Sequence, residues 1–258
     1  MTEQAKIQQQ ALQYQCPADA LRDRVILVTG AGDGIGRAVS LALADHGATV
    51  ILLGRTQEKL ENVYDIIKER GGPEPAMAPV NLEVVTPPNC EELAQQFGNE
   101  FGRLDGLLHN ASMLGDITPL EQYDYDTWLS VMHVNLQSCF YLTRATLPLL
   151  RRSEDASVVF TSSSVGRKAR AFWGAYAVSK FATEGLMQLL ADEEENISTV
   201  RANSLNPGAT RTQMRKLAYP GEDPERLPRP EDIVAPYLYL LGPDSREVNG
   251  MALDAQQR

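Results

Sequence analysis

The sequence predicts one doubly wound α/β domain, a mainly parallel sheet of seven strands with helices on both faces. Three observations lead to this prediction. Short apolar runs rich in β-branched residues alternate with longer segments of helical pattern along the chain. A glycine-rich turn joins the first run to the first helical segment, and no linker-like composition interrupts the middle of the chain. Because the strand runs are almost continuously apolar, they are typical of a parallel sheet covered on both sides.

The first segment, residues 1–20, is polar and rich in glutamine, and we expect it to be an arm that is partly disordered. It has neither a basic start nor an apolar run, so it does not resemble a secretion signal. The remaining residues, 21–258, are expected to form the domain.

Strands and helices then alternate in order. The predicted strands occupy residues 24–30, 48–54, 76–80, 104–110, 156–164, 200–208 and 250–254. The predicted helices occupy residues 36–46, 56–70, 89–101, 124–150, 174–197 and 231–241. A segment rich in proline and charge, residues 213–230, is expected to act as a short lid over the ligand cleft.

Composition excludes several classes of function. The chain has 258 residues, of which 43 % are hydrophobic and 22 % charged, as in ordinary globular proteins. A formal net charge of -10 argues against a nucleic-acid partner, which requires clustered cations. No apolar run is long enough to span a membrane. Cys16, Cys90 and Cys139 lack metal-ligand spacing, so we expect no metal site but free thiols in a reducing compartment, the cytoplasm.

The glycine-rich turn TGAGDGIG predicts a site for the pyrophosphate of a dinucleotide. It lies where the first strand meets the first helix, and its glycines permit a tight turn and close approach of the backbone. The helix N-terminus presents unpaired N–H groups and a partial positive charge, which stabilise an anion. This is the arrangement of a Rossmann domain. The candidate cofactor-binding residues on the turn are Gly30, Asp33, Gly34, Ile35 and Gly36.

The end of the second strand, LLGRT, indicates which dinucleotide binds. NAD-binding proteins place an acidic residue there, about 20 positions beyond the glycines, to hold the ribose 2′-hydroxyl. This chain has Arg55, whose guanidinium suits a 2′-phosphate. The sequence therefore favours NADP, with NAD as the alternative if Arg55 only solvates the end of the strand.

The stretch WGAYAVSK places Tyr176 and Lys180 one helical turn apart, on one face of a helix. A tyrosine normally ionises near pH 10, about three units too high for proton exchange at neutral pH. We expect the Lys180 ammonium to lower the pKa of Tyr176, which would make the phenol a usable acid or base. The alternative is an exposed helix face that carries the two residues by chance, since such short matches are common.

Four motifs in order, TGAGDGIG, TSSS, YAVSK and NPGATRT, resemble those of the short-chain dehydrogenase/reductase family of the TGxxxGxG type, over residues 24–254. Within that family the sequence is similar to the YciK-like bacterial oxidoreductases. The resemblance implies an NADP(H)-dependent oxidoreductase that transfers a hydride between nicotinamide and a carbonyl or alcohol substrate. It also implies pairing of helices 124–150 and 174–197 between subunits, in a homodimer or homotetramer.

The resemblance assigns the catalytic roles to Asn135, Ser163, Tyr176 and Lys180, with Ser164 as the alternative serine. Ser163 would hydrogen-bond the substrate oxygen and Tyr176 would deliver the proton. Lys180 would lower the pKa of Tyr176 and bind the nicotinamide ribose, and Asn135 would hold a water in a proton relay. The further cofactor-binding residues that it implies, besides Tyr176 and Lys180, are Asn81, Leu82, Asn110, Ala111, Pro207, Gly208, Thr210 and Thr212.

Three departures from the family pattern put details in doubt. Ser112 stands in HNAS where the family has glycine, and a serine lacks glycine's freedom at positive φ. Asn81 replaces an aspartate that faces the adenine, and the chain closes with DAQQ instead of DGG.

Two questions stay open at this point. The stretch RKARAFWG, residues 167–174, is either part of a wall for an anionic or aromatic carbonyl compound or a solvated loop with Phe172 and Trp173 in an oligomer contact. The function could also be that of a cofactor-sensing protein without turnover. A sugar-nucleotide epimerase is disfavoured, because its glycine spacing and added substrate domain are missing.

Overall fold

The computed structural model describes residues 2–257. Met1 of the predicted arm, 1–20, and Arg258 of the predicted domain, 21–258, lie outside that range. A single sheet has the strand order β3-β2-β1-β4-β5-β6-β7, with every pair parallel, which confirms the predicted fold class. The strands are β1 Val25–Thr29, β2 Thr49–Gly54, β3 Ala76–Pro79, β4 Gly106–His109, β5 Ala156–Thr161, β6 Val200–Asn206 and β7 Ala252–Asp254.

The α-helices of the described chain alternate with these strands or flank them. They are α1 Glu3–Leu12, α2 Gly34–Asp45, α3 Gln57–Glu69, α4 Pro87–Phe101, α5 Tyr125–Met132, α6 Ser138–Leu150, α7 Gly174–Glu194, α8 Gln213–Ala218 and α9 Ala235–Leu241.

The strand order reverses beside β1, which pairs with β2 on one side and with β4 on the other. Val28 of β1 is in register with Leu52 and with Leu108. The connections after β1 and β4 therefore leave the sheet in opposite directions, and a crevice opens between them at the carboxyl ends of the strands. In open α/β sheets this is where ligands bind.

Two apolar layers cover the sheet. Successive strand residues face opposite sides, so Val28 packs in the layer of α1, α2, α3 and α9, whereas Leu27 packs in the layer of α4, α6 and α7. Burial on both faces explains why the strand sequences are almost continuously apolar.

The predicted helix over residues 124–150 is interrupted. Asp124 caps α5 by accepting a hydrogen bond of 2.7 Å from the Thr127 N–H. A π-helical turn over His133–Gln137 then separates α5 from α6. Such turns insert an extra residue into a helix and occur often at functional sites. Here the turn contains Asn135.

The expectation of a partly disordered arm is wrong for Glu3–Leu12, because these residues form the folded helix α1. Ile7 and Ala11 lie one turn apart and are buried in the layer that contains α9. The Gln8 side chain donates to the backbone oxygen of Asp254 at 2.6 Å and accepts from its N–H at 2.8 Å. The helix thus covers the edge of β7, which would otherwise present unpaired backbone groups.

The predicted lid is a folded segment beside the cleft. It begins with α8, whose Met214 and Ala218 pack against the apolar cluster around Tyr176. Arg215 of α8 forms two hydrogen bonds of 2.5 and 2.6 Å with Glu222. Its opening and closing stay a prediction.

Candidate active site

A cleft of about 840 Å³ lies at the carboxyl ends of the central strands. Ligand pockets in proteins are typically of this size. The glycine-rich turn and the ends of β2 and β3 line one end of the cleft, and the start of α7 and helix α8 line the other. All the predicted site residues line it except Gly36 and Asn135, which lie behind its wall.

The glycine turn brings the N-terminus of α2 to the cleft. Gly30 and Gly34 have positive φ values of 69° and 51°. A Cβ added to Gly36 would lie 2.1 Å from the Gly30 oxygen, and one added to Gly30 would lie 3.1 Å from the Asn110 amide. Side chains would therefore force this turn apart, and its close packing fits a backbone that must approach a pyrophosphate.

Asp33 caps α2 with a hydrogen bond of 2.7 Å from the Gly34 N–H and forms an ion pair with Lys59 of α3. The hydrogen bond from Lys59 is the largest of the effects that hold the pKa of Asp33 below its usual range. Lys59 thereby neutralises the Asp33 carboxylate, which would otherwise repel an anion bound at the glycine turn. The sequence motifs did not indicate Lys59.

Thr29 and Asn110 connect the ends of β1 and β4. The Thr29 hydroxyl accepts hydrogen bonds of 3.0 Å from the N–H groups of Asn110 and Ala111. The Asn110 amide donates to the Thr29 backbone oxygen at 3.2 Å. These bonds fix the loop after β4 against the glycine turn.

Arg55 and Asn81 lie at the ends of β2 and β3, at the predicted adenosine end. The Arg55 side chain is 70 % exposed and lies 3.4 Å from the Glu83 carboxylate. The Asn81 side-chain oxygen accepts from the Glu83 N–H at 3.1 Å, so it forms a local turn. An exposed ion pair of this kind contributes little energy, so the guanidinium is available to a phosphate.

Tyr176 is buried on α7, 7 % exposed, and its hydroxyl faces the side chains of Ser163 and Ser112. Burial raises the pKa of Tyr176 to about 12, although the two serines oppose the shift. Ser112 has no positive φ, so the serine in place of glycine does not strain the backbone. Its contact with Tyr176 is a feature that the sequence analysis missed.

Lys180 follows Tyr176 by one turn, and its ammonium lies 5.6 Å from the Tyr176 ring centroid. The ammonium donates to the Thr161 backbone oxygen at 2.7 Å. Burial lowers the pKa of Lys180 to about 8. The proximity of the two residues agrees with the sequence, but the predicted lowering of the pKa of Tyr176 is wrong for the chain by itself, because burial outweighs every favourable interaction.

Asn135 uses all four of its side-chain hydrogen bonds. Its oxygen accepts from the Met113 N–H at 2.7 Å and the Ser112 hydroxyl at 3.1 Å. Its amide donates to the Met113 oxygen and to the Ser179 hydroxyl, both at 2.9 Å. An asparagine offers two donors and two acceptor sites. A water relay would have to use its backbone oxygen, so the relay stays a prediction.

Ser162 and Ser163, the first two of the three consecutive serines after β5, have different partners, and Ser164 also lines the cleft. Ser162 is buried and donates to Glu184 at 2.5 Å. Ser163 contacts Tyr176 and caps a short helical turn over Ser164–Gly166. The geometry therefore separates Ser163, which faces the phenol, from Ser162, which binds the helix behind it.

Residues 24–223 match the family model described as short chain dehydrogenase. The chain belongs to the short-chain dehydrogenase family. The uncharacterized oxidoreductase YciK of Escherichia coli (strain K12) is 53 % identical over 245 residues, which cover 95 % of this chain and 96 % of that protein.

Solved structures of the same family have the same fold. A short chain dehydrogenase structure from Pseudomonas syringae superposes with a TM-score of 0.93 at 61 % identity, over 94 % of this chain and 98 % of that one. A short chain dehydrogenase from Shigella flexneri 2a strain 301, complexed with NADP, has a TM-score of 0.91 at 52 % identity, over 93 % and 100 % of the two chains.

In this short-chain dehydrogenase, the loop after β6 is closed by a residue that follows the neighbouring strand, β7. The Gln256 amide donates to the Pro207 oxygen at 2.7 Å, the Ala209 oxygen at 3.0 Å and the Thr210 hydroxyl at 3.2 Å. Thr212 caps α8 and faces the glycine turn, 3.5 Å from the position of a Cβ on Gly34. Gln256 belongs to the divergent DAQQ ending, and its role was missed because only the fold brings it to this loop.

Aromatic rings line the far end of the cleft. The Trp173 ring centroid lies 5.7 Å from that of Tyr176 and 5.9 Å from that of Tyr219. Phe172 instead has a φ of 74° and an exposed side chain. The two aromatic residues of RKARAFWG therefore point to different surroundings, with Trp173 in the cleft wall.

The described residues contain no group of His, Cys, Asp or Glu side chains that could hold a metal ion. His109 is stacked on Phe160 and bonded to Thr143 at 2.8 Å, and burial lowers the pKa of His109 to about 3. His133 lies 3.0 Å from the Val85 oxygen. No helix over residues 2–257 is long and apolar enough to cross a membrane.

Proposed function

We propose that this chain is an NADP(H)-dependent oxidoreductase that transfers a hydride between nicotinamide and a carbonyl or alcohol substrate, with Tyr176 as general acid and base. One observation carries the proposal: Ser163, Tyr176 and Lys180 meet in the cleft whose other end is the glycine turn. The S. flexneri relative that is complexed with NADP supports the choice of cofactor.

The residues of the cleft fit a dinucleotide phosphate. The packed glycine turn and the N-terminus of α2 suit the pyrophosphate, as argued above. Arg55 would bind the 2′-phosphate, with Asn81 and Leu82 beside the adenine. The loop that Gln256 closes, with Pro207, would hold the nicotinamide end. When bound, the cofactor supplies the hydride chemistry, and the protein positions and polarises.

Tyr176 would exchange the proton with the substrate oxygen, while Ser163 donates a hydrogen bond to that oxygen. Because the pKa of Tyr176 is raised to about 12, the phenol carries its proton at neutral pH, which suits the reductive direction. In the oxidative direction a phenolate is required. Positive charge from Lys180, together with an oxidised nicotinamide, would favour that form.

Lys180 and Asn135 would act by position and charge. Because the pKa of Lys180 is about 8, most of the side chain is charged at pH 7, and the Thr161 oxygen holds it in place. Asn135 connects the loop after β4 to α7 through Met113 and Ser179. It thereby fixes Ser112, and through it the phenol.

The Tyr176→Phe variant tests this proposal. We expect NADPH affinity, measured by fluorescence titration, to stay within about twofold, because the ring and its packing remain. Turnover of a carbonyl substrate, found by screening aldehydes, ketones and quinones for NADPH consumption, should fall by about a hundredfold or more.

Tyr125→Phe is the matched control, since Tyr125 is 87 % exposed, and it should leave turnover unchanged. Unchanged turnover in Tyr176→Phe would contradict the catalytic role. Tight NADPH binding without consumption across the whole screen would favour the alternative, a cofactor-sensing protein.

We also propose that the chain works in the cytoplasm as a homodimer or homotetramer joined through α6 and α7. Three free cysteines support a reducing compartment. Large apolar side chains are exposed on these two helices, among them Phe140, Phe181 and Leu189. Light scattering that gave the mass of a monomer would contradict the assembly.

A further inference from the structure

We propose that Arg170 makes this site selective for anionic substrates: carbonyl compounds or alcohols with an aromatic or apolar body and a carboxylate or similar anion. The inference rests on the proposed function, because it concerns the substrate end of the same cleft. It combines an apolar wall, a cation that has no side-chain partner within residues 2–257, and a wall whose described residues include no acidic side chain.

The wall of the substrate end is apolar beyond the phenol of Tyr176. Leu114 and Val165 form a cluster with Tyr176, against which Trp173 and Met214 pack. These residues all line the cleft. A substrate bound there would place an aromatic or aliphatic body against them, since apolar surface is stabilised when it leaves water.

Arg170 is the one cation of RKAR that lines the cleft. Arg167 is held elsewhere, by Asp254 at 2.8 Å and by the Leu253 oxygen at 2.7 Å. Lys168 is exposed and does not line the cleft. Arg170 makes no side-chain hydrogen bond or ion pair within residues 2–257, whereas the nearby Arg215 is neutralised by Glu222.

Acidic residues of the cleft are confined to the adenosine end. Asp33 and Glu83 line it there and face Lys59 and Arg55 respectively. Of the described residues that line the substrate end, none is acidic. Arg170, which is exposed to solvent where it lines the cleft, therefore meets no counter-charge from the described lining of this end, and an anion that enters with its body against the wall would gain a charge-assisted hydrogen bond.

The backbone holds Arg170 in a built turn. The Trp173 N–H donates to the Arg170 oxygen at 3.4 Å, and the Thr118 N–H donates to the Phe172 oxygen at 3.1 Å. Phe172, at positive φ, reverses the chain between them. Arg170 and the indole of Trp173 are thus carried by one short segment, which pairs a cation with an aromatic surface.

Calorimetry on the NADP-loaded protein tests the inference with two probes of the same shape, 2-naphthoate and the neutral 2-naphthamide. We expect wild type to bind the naphthoate at least about tenfold more tightly. Arg170→Ala should remove that preference and leave naphthamide affinity within about twofold, and Arg170→Lys should restore part of it, since lysine keeps the charge without the planar fork.

Lys168→Ala is the matched control, because it removes a neighbouring cation outside the cleft, and it should keep the preference. Equal binding of the two probes by wild type, or equal losses in Arg170→Ala and Lys168→Ala, would overturn the inference. NADP affinity of each variant shows that the fold is intact. These affinities do not depend on turnover, so failure of the Tyr176 test would remove the proposed reaction and leave this result readable.

Discussion

At the scale of single residues, burial moves the two titrating groups of the site toward their neutral forms. The pKa of Tyr176 rises to about 12 and that of Lys180 falls to about 8. Charge is costly in a desolvated site, whichever its sign. A bound positive group, or a hydrogen bond to the phenolate, should therefore have a large effect on the pKa of Tyr176.

The pH dependence of stability tests the pKa of Lys180. In the unfolded chain the lysine has its ordinary pKa of 10.5, whereas in the folded chain it is about 8. Between these values the unfolded state binds more protons, so the free energy of unfolding should rise with pH and be lost as pH falls toward 8. We expect wild type to gain on the order of 2 kcal/mol between pH 8 and 10 relative to Lys180→Met, measured by urea unfolding.

The window stops at pH 10 because Tyr176, with its raised pKa, begins to lower stability above that value. Lys168→Met is the matched control, since Lys168 is exposed and should follow wild type. Parallel pH curves for wild type and Lys180→Met would show that Lys180 is not desolvated as described.

The sequence predicted residue types and spacings better than it predicted energies. The placement of Tyr176 and Lys180 on one helix face followed from helical geometry alone. The direction of the pKa of Tyr176 did not, because desolvation depends on residues from other elements that bury the ring. Ser112 and Lys59 were missed for the same reason: each meets its partner only after the chain folds.

At the scale of elements, the strands were predicted well and their ends less well. The predicted strands over 156–164 and 200–208 end earlier, at Thr161 and Asn206, and the residues beyond them form the cleft. The π-helical turn could not be predicted from the sequence. It distorts the helix locally, and the hydrogen bonds of Asn135 to other elements, which form only in the folded chain, offset that cost. Helix α1 was missed because its buried pair, Ile7 and Ala11, is short of a full apolar stripe.

The loop after β6 is an element that depends on one distant side chain. Gln256 donates to three acceptors on this loop, and no other residue type offers the same reach with an amide. We expect Gln256→Ala to loosen the loop and weaken NADPH binding about five- to tenfold, as for the loss of one or two neutral hydrogen bonds of about 1 kcal/mol each. Fluorescence titration with NADPH measures the change.

Gln257→Ala is the control for this loop, because Gln257 is its exposed neighbour, and its NADPH affinity should equal that of wild type. If Gln256→Ala binds NADPH as wild type does, the loop is held by its own backbone and the departure from DGG is neutral.

At the scale of the whole molecule, the two ends of the parallel strands carry different features. The carboxyl ends carry the ligand cleft, and the amino ends carry a buried network of ion pairs. The cleft lies at the carboxyl edge. At the amino edge, Asp155 before β5 is 5 % exposed and binds Arg24 at 2.8 Å and also Arg201. Burial by itself would raise the pKa of Asp155, but the charges of Arg201 and Arg24 outweigh it and hold the pKa below its usual value. This network connects β1, β5 and β6 far from the ligand.

The Asp155→Asn variant tests that separation, and with it the expectation that residues 21–258 form one domain. Removal of the carboxylate leaves two buried guanidinium groups without a counter-charge, and breaking a buried pair in this way typically costs about 3–5 kcal/mol. We expect a loss of that size in the free energy of urea unfolding, in a single transition, with NADPH affinity of the folded protein within about twofold of wild type.

Glu154→Gln, at the exposed neighbouring position, should change neither quantity. A small loss of stability would mean that Asp155 is solvated, and a parallel loss of NADPH affinity would mean that the two edges of the sheet are coupled through the strands.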